Sequence, residues 1–224
     1  SLFASSEKVD FSISEKYQNL SSEIYQKISS HHFIREIDRE TFNSLYIDAL
    51  LEELDPNKNL FLSHEIKYFK EKSLNKSVDE INFDINLAYL IINSYFNRLI
   101  EISEYQIELI EKNNFNFLTN ENIDIFYDDN EYPLTMSELK ERWRKTTKND
   151  FIVSVLAKDD ENEIVANLKK RYDRRINRII QRNDEDIFLL AINIMTRQFD
   201  PHSTYLSPYN AEDFEIDMSL KLGG

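Results

Sequence analysis

Cysteine is absent from this chain of 224 residues, glycine occurs only twice and proline only four times. Without cysteine, disulfide bonds and thiol nucleophiles are excluded. The two glycines are the last residues, Gly223 and Gly224, so glycine-rich phosphate loops and the G-x-S-x-G nucleophile elbow are excluded as well. So few residues that break regular structure favour a mostly helical chain over a turn-rich β fold.

Long apolar runs and a positive net charge are also missing. No run approaches the about 18 apolar residues of a transmembrane helix, so we expect no transmembrane segment. Residues 1–6 lack the basic start and apolar core of a signal peptide, so either a signal peptide was removed or the protein is cytosolic. The net charge of -14 argues against a nucleic-acid partner, because phosphates would be repelled.

Apolar residues recur at helical spacing along most of the chain, which predicts one all-α domain of seven or eight helices. The stretch 84–112 is apolar around most of its circumference near residues 90–92 and should be central. Segment 113–132 is rich in Asn and Asp and predicts a loop or a small β-hairpin. Residues 218–222 alternate with period two, which predicts a short strand.

We expect helices over about 15–29, 39–54, 84–112, 136–156 (one helix or a kinked pair), 163–182 and 187–199, and a short helix after Ser63 that contains Ile66 and Phe69. The second helix should be capped by Asp38 and should bury its apolar side, which consists of Phe42, Leu45, Tyr46, Ala49 and Leu50. Thr135 and Glu138 match a capping box, and Asp184 or a neighbour should cap the last helix.

Two Asp-Pro pairs predict sharp corners between helices, one at residues 54–63 and one at residues 199–208. Proline has no N–H and disfavours helical geometry in the preceding residue, so a helix must end at each pair. Ser63 and Ser207 are expected to cap the helices that follow, and Tyr205 and Leu206 to act as apolar anchors. The second corner consists of Phe199, Asp200, Pro201, His202, Ser203, Thr204, Tyr205, Leu206, Ser207 and Pro208.

Catalytic and metal-binding residues are not expected in this chain. Its histidines lack the spacing of zinc ligands; they are His31, His32, His64 and His202. Asp200, His202 and Ser203 are the residue types of a catalytic triad, but triad members meet through the fold and not within one tight turn. We expect Asp200 and Ser203 to bond to backbone groups instead, and we predict no cofactor.

One helix concentrates positive charge in this acidic chain. Two interpretations are open: the cations pair with acidic neighbouring helices, which we favour because charged helix faces are usually just solvated, or the face docks a partner. Its basic residues are Lys169, Lys170, Arg171, Arg174, Arg175, Arg178 and Arg182.

The second corner and the residues after it resemble the tail-specific proteases, also called carboxy-terminal processing proteases. The resemblance rests on the motif from Asp200 to Pro208, on Phe214, and on the run Met218-Ser219-Leu220-Lys221-Leu222-Gly223-Gly224. Residues 42–69, the surroundings of Trp143 and residues 164–224 resemble the long periplasmic branch of Gram-negative bacteria.

The resemblance implies an N-terminal helical domain over residues 1–217 and the start of a PDZ segment at 218–224. It implies a periplasmic serine endopeptidase that selects proteins by apolar C-termini and whose serine–lysine dyad lies beyond Gly224. This segment would be a non-catalytic scaffold that encloses substrate, with its own PDZ and protease domains, protein substrates and an adaptor protein as partners. The alternative is a free-standing helical interaction module with no protease attached.

Overall fold

The computed structural model describes residues 8–31, 39–74, 83–113, 115–123, 132–157 and 160–207. Within these ranges the chain forms seven helices and no strand, which confirms the all-α prediction. The helices are α1 (Glu15–His31), α2 (Arg39–Leu54), α3 (Ser63–Leu74), α4 (Ile85–Lys112), α5 (Met136–Leu156), α6 (Glu161–Ile180) and α7 (Asp184–Thr196).

Helix α4 is the central element, as its sequence predicted. It packs against α2, α3, α5, α6 and α7, because its apolar residues surround most of its circumference. Asp84 caps its first turn by accepting a hydrogen bond from the Leu87 N–H at 2.9 Å. Asn113 ends it in the left-handed conformation (φ 44°), which asparagine tolerates better than most residues.

The main core lies where α1, α2 and α7 meet the first half of α4. The Tyr46 hydroxyl is fully buried there and donates to the Ala191 carbonyl at 3.1 Å, which links α2 to α7. The stripe predicted for α2 is largely confirmed, since Phe42, Tyr46 and Leu50 are buried. Leu45 was also expected to face inward and is instead 46% exposed. The apolar residues of α2 cover a wider part of its surface than the part that contacts the core.

Two smaller cores cover the second half of α4. One joins it to α5 and α6 through Ile110, Phe151 and Tyr172. The other places Trp143 of α5 and Leu62 against Ile102 of α4. The length of α4 therefore connects all three cores into one packed unit.

The helices α5 and α7 begin near the capping residues that the sequence indicated, with small differences in which groups are bonded. Thr135 caps α5 by accepting from the Glu138 N–H, as expected, but the Glu138 carboxylate accepts from the Leu134 N–H and does not close the predicted capping box. Helix α7 was expected to be capped by Asp184 or a neighbour. The neighbour Asn183 caps it, in a reciprocal box with Asp186.

Some expectations fall outside the described residues. Residues 115–123 are irregular, with no strand, while residue 114 and residues 124–131 of the predicted loop or hairpin are outside. The N-cap Asp38, the helix after Pro208, the strand at 218–222 and the boundary at residue 217 are outside as well. Within the described ranges, every helix falls short, in length or in apolar content, of what a bilayer crossing requires.

Candidate functional site

The first Asp-Pro corner is organised by a buried carboxylate. Asp55 is only 2% exposed, and its oxygens accept three backbone N–H groups: Asn59 at 2.7 Å, Leu60 at 2.9 Å and Phe61 at 3.0 Å. Burial raises the pKa of Asp55 above its ordinary value, while these donors and nearby Lys58 counteract the rise. The carboxylate thus serves as the central acceptor of the corner.

The helix after this corner begins at its predicted cap, Ser63, and so starts one residue earlier than expected. Ser63 was expected to be the N-cap, but it is the first helical residue, and the Leu62 carbonyl accepts the first helical bond from Ile66. The Glu65 carboxylate accepts from the Leu62 N–H at 2.7 Å. It also pairs with Arg98 of α4 at 2.7 Å, so a carboxylate of the first turn links the start of α3 to α4.

The second corner places its predicted residues in one tight turn. The Asp200 carboxylate accepts from the His202 N–H at 2.9 Å, and its carbonyl accepts from the Ser203 N–H at 2.9 Å. The Thr196 hydroxyl donates to the Ser203 carbonyl at 3.1 Å. Asp200 therefore bonds to backbone, as predicted, and Ser203 contributes its own backbone groups.

The segment that leaves this corner is attached to α7 by Tyr205. Its N–H donates to the Asn193 amide oxygen at 2.8 Å, and its ring packs edge-on against Phe188 at 5.8 Å. Leu206 was predicted to be a second anchor, but it is 39% exposed. Because successive side chains of an extended segment point to opposite sides, only one of two neighbours can pack inward. Ser207 is buried, while Pro208 and the helix it was expected to start lie outside the described residues.

The two corners share the same turn. In each, the aspartate carbonyl accepts the N–H three residues later, Lys58 at 3.1 Å and Ser203 at 2.9 Å. They differ in burial and in the number of N–H groups that the carboxylate accepts. The similarity of the two sequences therefore reflects a shared turn, which is buried in the first corner and lies at the surface in the second.

Metal ligands do not converge anywhere in the part of the chain that the structure describes. His64 and His202 are exposed and lie in different corners, while the imidazoles of His31 and His32 are outside the described part.

The basic helix α6 is divided into paired and unpaired cations. Lys169 pairs with Glu111 of α4, and Arg171 with Asp150 of α5. Burial lowers the pKa of Arg175, whose guanidinium stacks on the Tyr172 ring at 5.1 Å.

Three further cations of α6, Lys170, Arg174 and Arg178, are exposed. Among the described residues the structure records no ion pair for them. The favoured interpretation is therefore confirmed for Lys169 and Arg171, which pair with acidic neighbouring helices. An exposed stripe at spacing four remains, and docking of a partner there stays a prediction.

A feature that the sequence analysis missed is a pair of asparagines on α4 that hold the segment before α1. Asn97 exchanges two hydrogen bonds with the backbone of Val9, and Asn93 exchanges two with the backbone of Phe11. The only sequence signal is the spacing of four between Asn93 and Asn97, which places both on one helical face.

Comparison with known proteins adds two findings. Residues 24–209 match the family model described as the tail specific protease N-terminal domain. The chain is 30% identical over 196 residues to a curated relative, the tail-specific protease of Haemophilus influenzae. The matched region is 87% of this chain and 28% of that relative, so the chain spans less than a third of the relative's length.

Proposed function

The chain belongs to the tail-specific protease family, in which it matches the N-terminal domain, and we propose that the whole protein is a periplasmic serine endopeptidase. Its substrates would be proteins selected by apolar C-termini. The observation that carries the proposal is the family match over residues 24–209, which contains both Asp-Pro corners. The relative's name supports proteolysis as the activity.

The proposed division of labour leaves chemistry to the segments that follow this domain. A serine nucleophile and a lysine base beyond Gly224 would cleave the substrate, and a PDZ segment that begins at residues 218–224 would admit it. The helical domain would act as scaffold, enclose the substrate and offer a surface to an adaptor protein.

The second corner supports the scaffold role. The chain passes from α7 toward its C-terminal part through residues 200–207, and four contacts hold this passage: the Asp200 turn, the Thr196 hydroxyl, the Asn193 amide and the Tyr205 ring. Because Tyr205 packs against Phe188, which is fully buried in the main core, the direction of the leaving chain is coupled to that core.

The cleavage test compares the whole protein with the isolated 224-residue chain. Two versions of one unfolded substrate are used, one ending in apolar residues and one ending in charged residues. We expect the whole protein to cleave the apolar version faster, its serine-to-alanine variant to be inactive, and the isolated chain to cleave neither. Equal cleavage of both substrates, or activity of the isolated chain that survives repurification, would contradict the proposal.

The scaffold role is tested with a matched pair of variants in the whole protein. Tyr205→Ala removes the ring that packs on Phe188, while Tyr205→Phe keeps the ring and removes only the hydroxyl. We expect the alanine variant to lose cleavage activity while the helical domain stays folded by circular dichroism, and the phenylalanine variant to keep activity. Equal activity of the two variants would argue against a positioning role of this corner.

The coding sequence after Gly224 distinguishes the proposed protease from the alternative, a free-standing interaction module. A coding sequence that continues beyond Gly224 into a PDZ-like segment and a protease supports the proposal, and a stop codon at that point supports the alternative. Cell fractionation tests the compartment, since a periplasmic protein is released with the periplasmic contents.

A further inference from the structure

The segment before α1 lies extended along α4. Val9, Phe11 and Ile13 are partly buried against the main core, while the alternate residues Lys8, Asp10 and Ser12 are exposed. This alternation is the period of an extended strand. The Phe11 ring meets the buried Phe96 ring edge-on at 5.7 Å. We call residues 8–13 the N-terminal strap.

Two asparagine side chains of α4 bind the backbone of the strap. The Val9 N–H donates to the Asn97 amide oxygen at 2.9 Å, and the Asn97 amide nitrogen donates to the Val9 carbonyl at 2.8 Å. Phe11 makes the same two bonds with Asn93, both at 2.8 Å. Four residues of helix rise about 6 Å and two residues of extended chain rise about 6.8 Å, so the two spacings match.

This arrangement recognises main chain and not side-chain identity. An asparagine amide is neutral and offers both an acceptor and donors, so it satisfies the N–H and the carbonyl of one residue at once. Any residue with a backbone N–H fits at the two bonded positions. Side-chain selection comes only from the apolar surface under the strap, which favours apolar residues two positions apart.

Helix α1 is held by contacts separate from those of the strap. The Ser14 N–H donates to Asp184 of α7 at 3.2 Å, and Tyr17 stacks on Phe188 at 4.5 Å, so α1 has its own attachment next to the strap. Helix α4 is supported by five other helices. An open groove of about 790 Å3 lies beside the strap, lined by Val9 and Asn97 and by the charged side chains of Arg98, Glu101 and Glu104.

We propose that the Asn93–Asn97 face of α4 is a binding site for an extended segment of another polypeptide, with apolar side chains at alternate positions, and that the strap is its exchangeable occupant within the chain. The proposal is independent of the protease assignment. The partner is defined by its backbone and its apolar period, which are the features of the strap that the site contacts.

The binding test uses the full chain with Val9→Asp and Phe11→Asp, which weaken the strap as an occupant, and a fluorescent peptide with the sequence of residues 5–14. We expect the variant to bind the peptide at least about tenfold more tightly than wild type, because an occupied site reduces apparent affinity. Methylation of the peptide nitrogens at Val9 and Phe11 should abolish binding, since each loses a donor. The same modification at Asp10 and Ser12 should leave binding nearly unchanged.

Variants of the protein provide the matched control. Adding Asn93→Ala and Asn97→Ala should remove peptide binding, while Asn86→Ala, at an exposed position of the same helix, should not. Equal loss with both methylated peptides, or no binding by the strap variant, overturns the proposal. Dimerisation of the wild-type chain through exchanged straps, seen by light scattering, also overturns it, because the occupant would then be a second copy.

Hydrogen exchange of wild-type chain tests the proposal without any substitution. The N–H groups of Val9 and Phe11 should exchange more slowly than those of Asp10 and Ser12, and excess peptide should remove this protection. Protection that persists at every peptide concentration shows that the strap is a permanent part of the fold, which overturns the proposal.

Discussion

Substitution of Asp55 by alanine should destabilise the domain far more than the same substitution at Asp200, although both aspartates occupy the same turn. The Asp55 carboxylate is buried and accepts three backbone N–H groups. Among the described contacts, the Asp200 carboxylate accepts one, from His202 in an exposed turn. The pair therefore isolates the effect of burial and donor number from that of turn geometry.

The magnitude follows from the three donors. A hydrogen bond to a charged group contributes about 1.5–3 kcal/mol, so three give an upper bound of about 4.5–9 kcal/mol. Burial of the carboxylate itself opposes this, as its raised pKa shows. We therefore expect Asp55→Ala to cost about 3–5 kcal/mol, the range for leaving buried groups without their charged partner, and Asp200→Ala to cost about 1 kcal/mol.

Urea unfolding at neutral pH measures both losses by far-UV circular dichroism. The single tryptophan gives a local signal, because the Trp143 indole N–H donates to the Asn59 carbonyl of the first corner at 2.7 Å. Its emission should shift in Asp55→Ala at low urea and stay unchanged in Asp200→Ala. Losses that agree within about 0.5 kcal/mol, the usual error of such comparisons, would refute the assignment of Asp55 as the central acceptor.

Three further outcomes are expected from the same unfolding assay. Tyr46→Phe should cost about 1 kcal/mol of unfolding free energy, because it removes the buried hydroxyl that donates to the Ala191 carbonyl. An unchanged unfolding free energy would show that this hydrogen bond does not stabilise the fold. Asn183→Ala should cost about 1 kcal/mol by removing the α7 cap, whereas Asn183→Ser should keep most of it, and equal losses would contradict the capping role. Because burial raises the folded-state pKa of Asp55 above 3.8, its protonation favours the folded state. The stabilisation by protonated Asp55 is fully present below the pKa that Asp55 has in the unfolded chain. It is lost as the pH rises through the pKa that Asp55 has in the folded chain. Wild type should therefore lose stability relative to Asp55→Asn as pH rises above about 4, and the opposite trend would contradict this pKa direction.

Much of the fold was predictable because local rules act within a few residues. Scarcity of glycine and proline indicated helices. Helix α2 ends at Leu54, directly before the first Asp-Pro pair and as expected, whereas α7 ends at Thr196, three residues before its predicted end at Phe199. Capping residues were recognised to within one position, as Asn183 and Leu62 show. The resemblance to tail-specific proteases rested on the second corner, and the family match confirms it.

Contacts between distant residues were less predictable. The two corners are alike in sequence, yet only Asp55 is enclosed, because α4 and α5 pack over the first corner. Leu206 and Leu45 are apolar but exposed, since packing allows only part of an apolar stripe to face the core. At the start of α3, the Glu65 carboxylate accepts the Leu62 N–H and pairs with Arg98 of α4, a partner that local sequence does not reveal.

The N-terminal strap shows most clearly which features follow from local sequence and which follow from tertiary structure. Sequence by itself determined that α4 is a long helix and that Asn93 and Asn97 share one of its faces, because helical spacing is a local property of the chain. Tertiary structure alone decided that Val9 and Phe11 lie opposite them, more than 80 residues away in sequence. The sequence around the two asparagines does not identify their partners, because backbone N–H and carbonyl groups are the same at every residue. Only the folded structure brings particular backbone groups within hydrogen-bond distance.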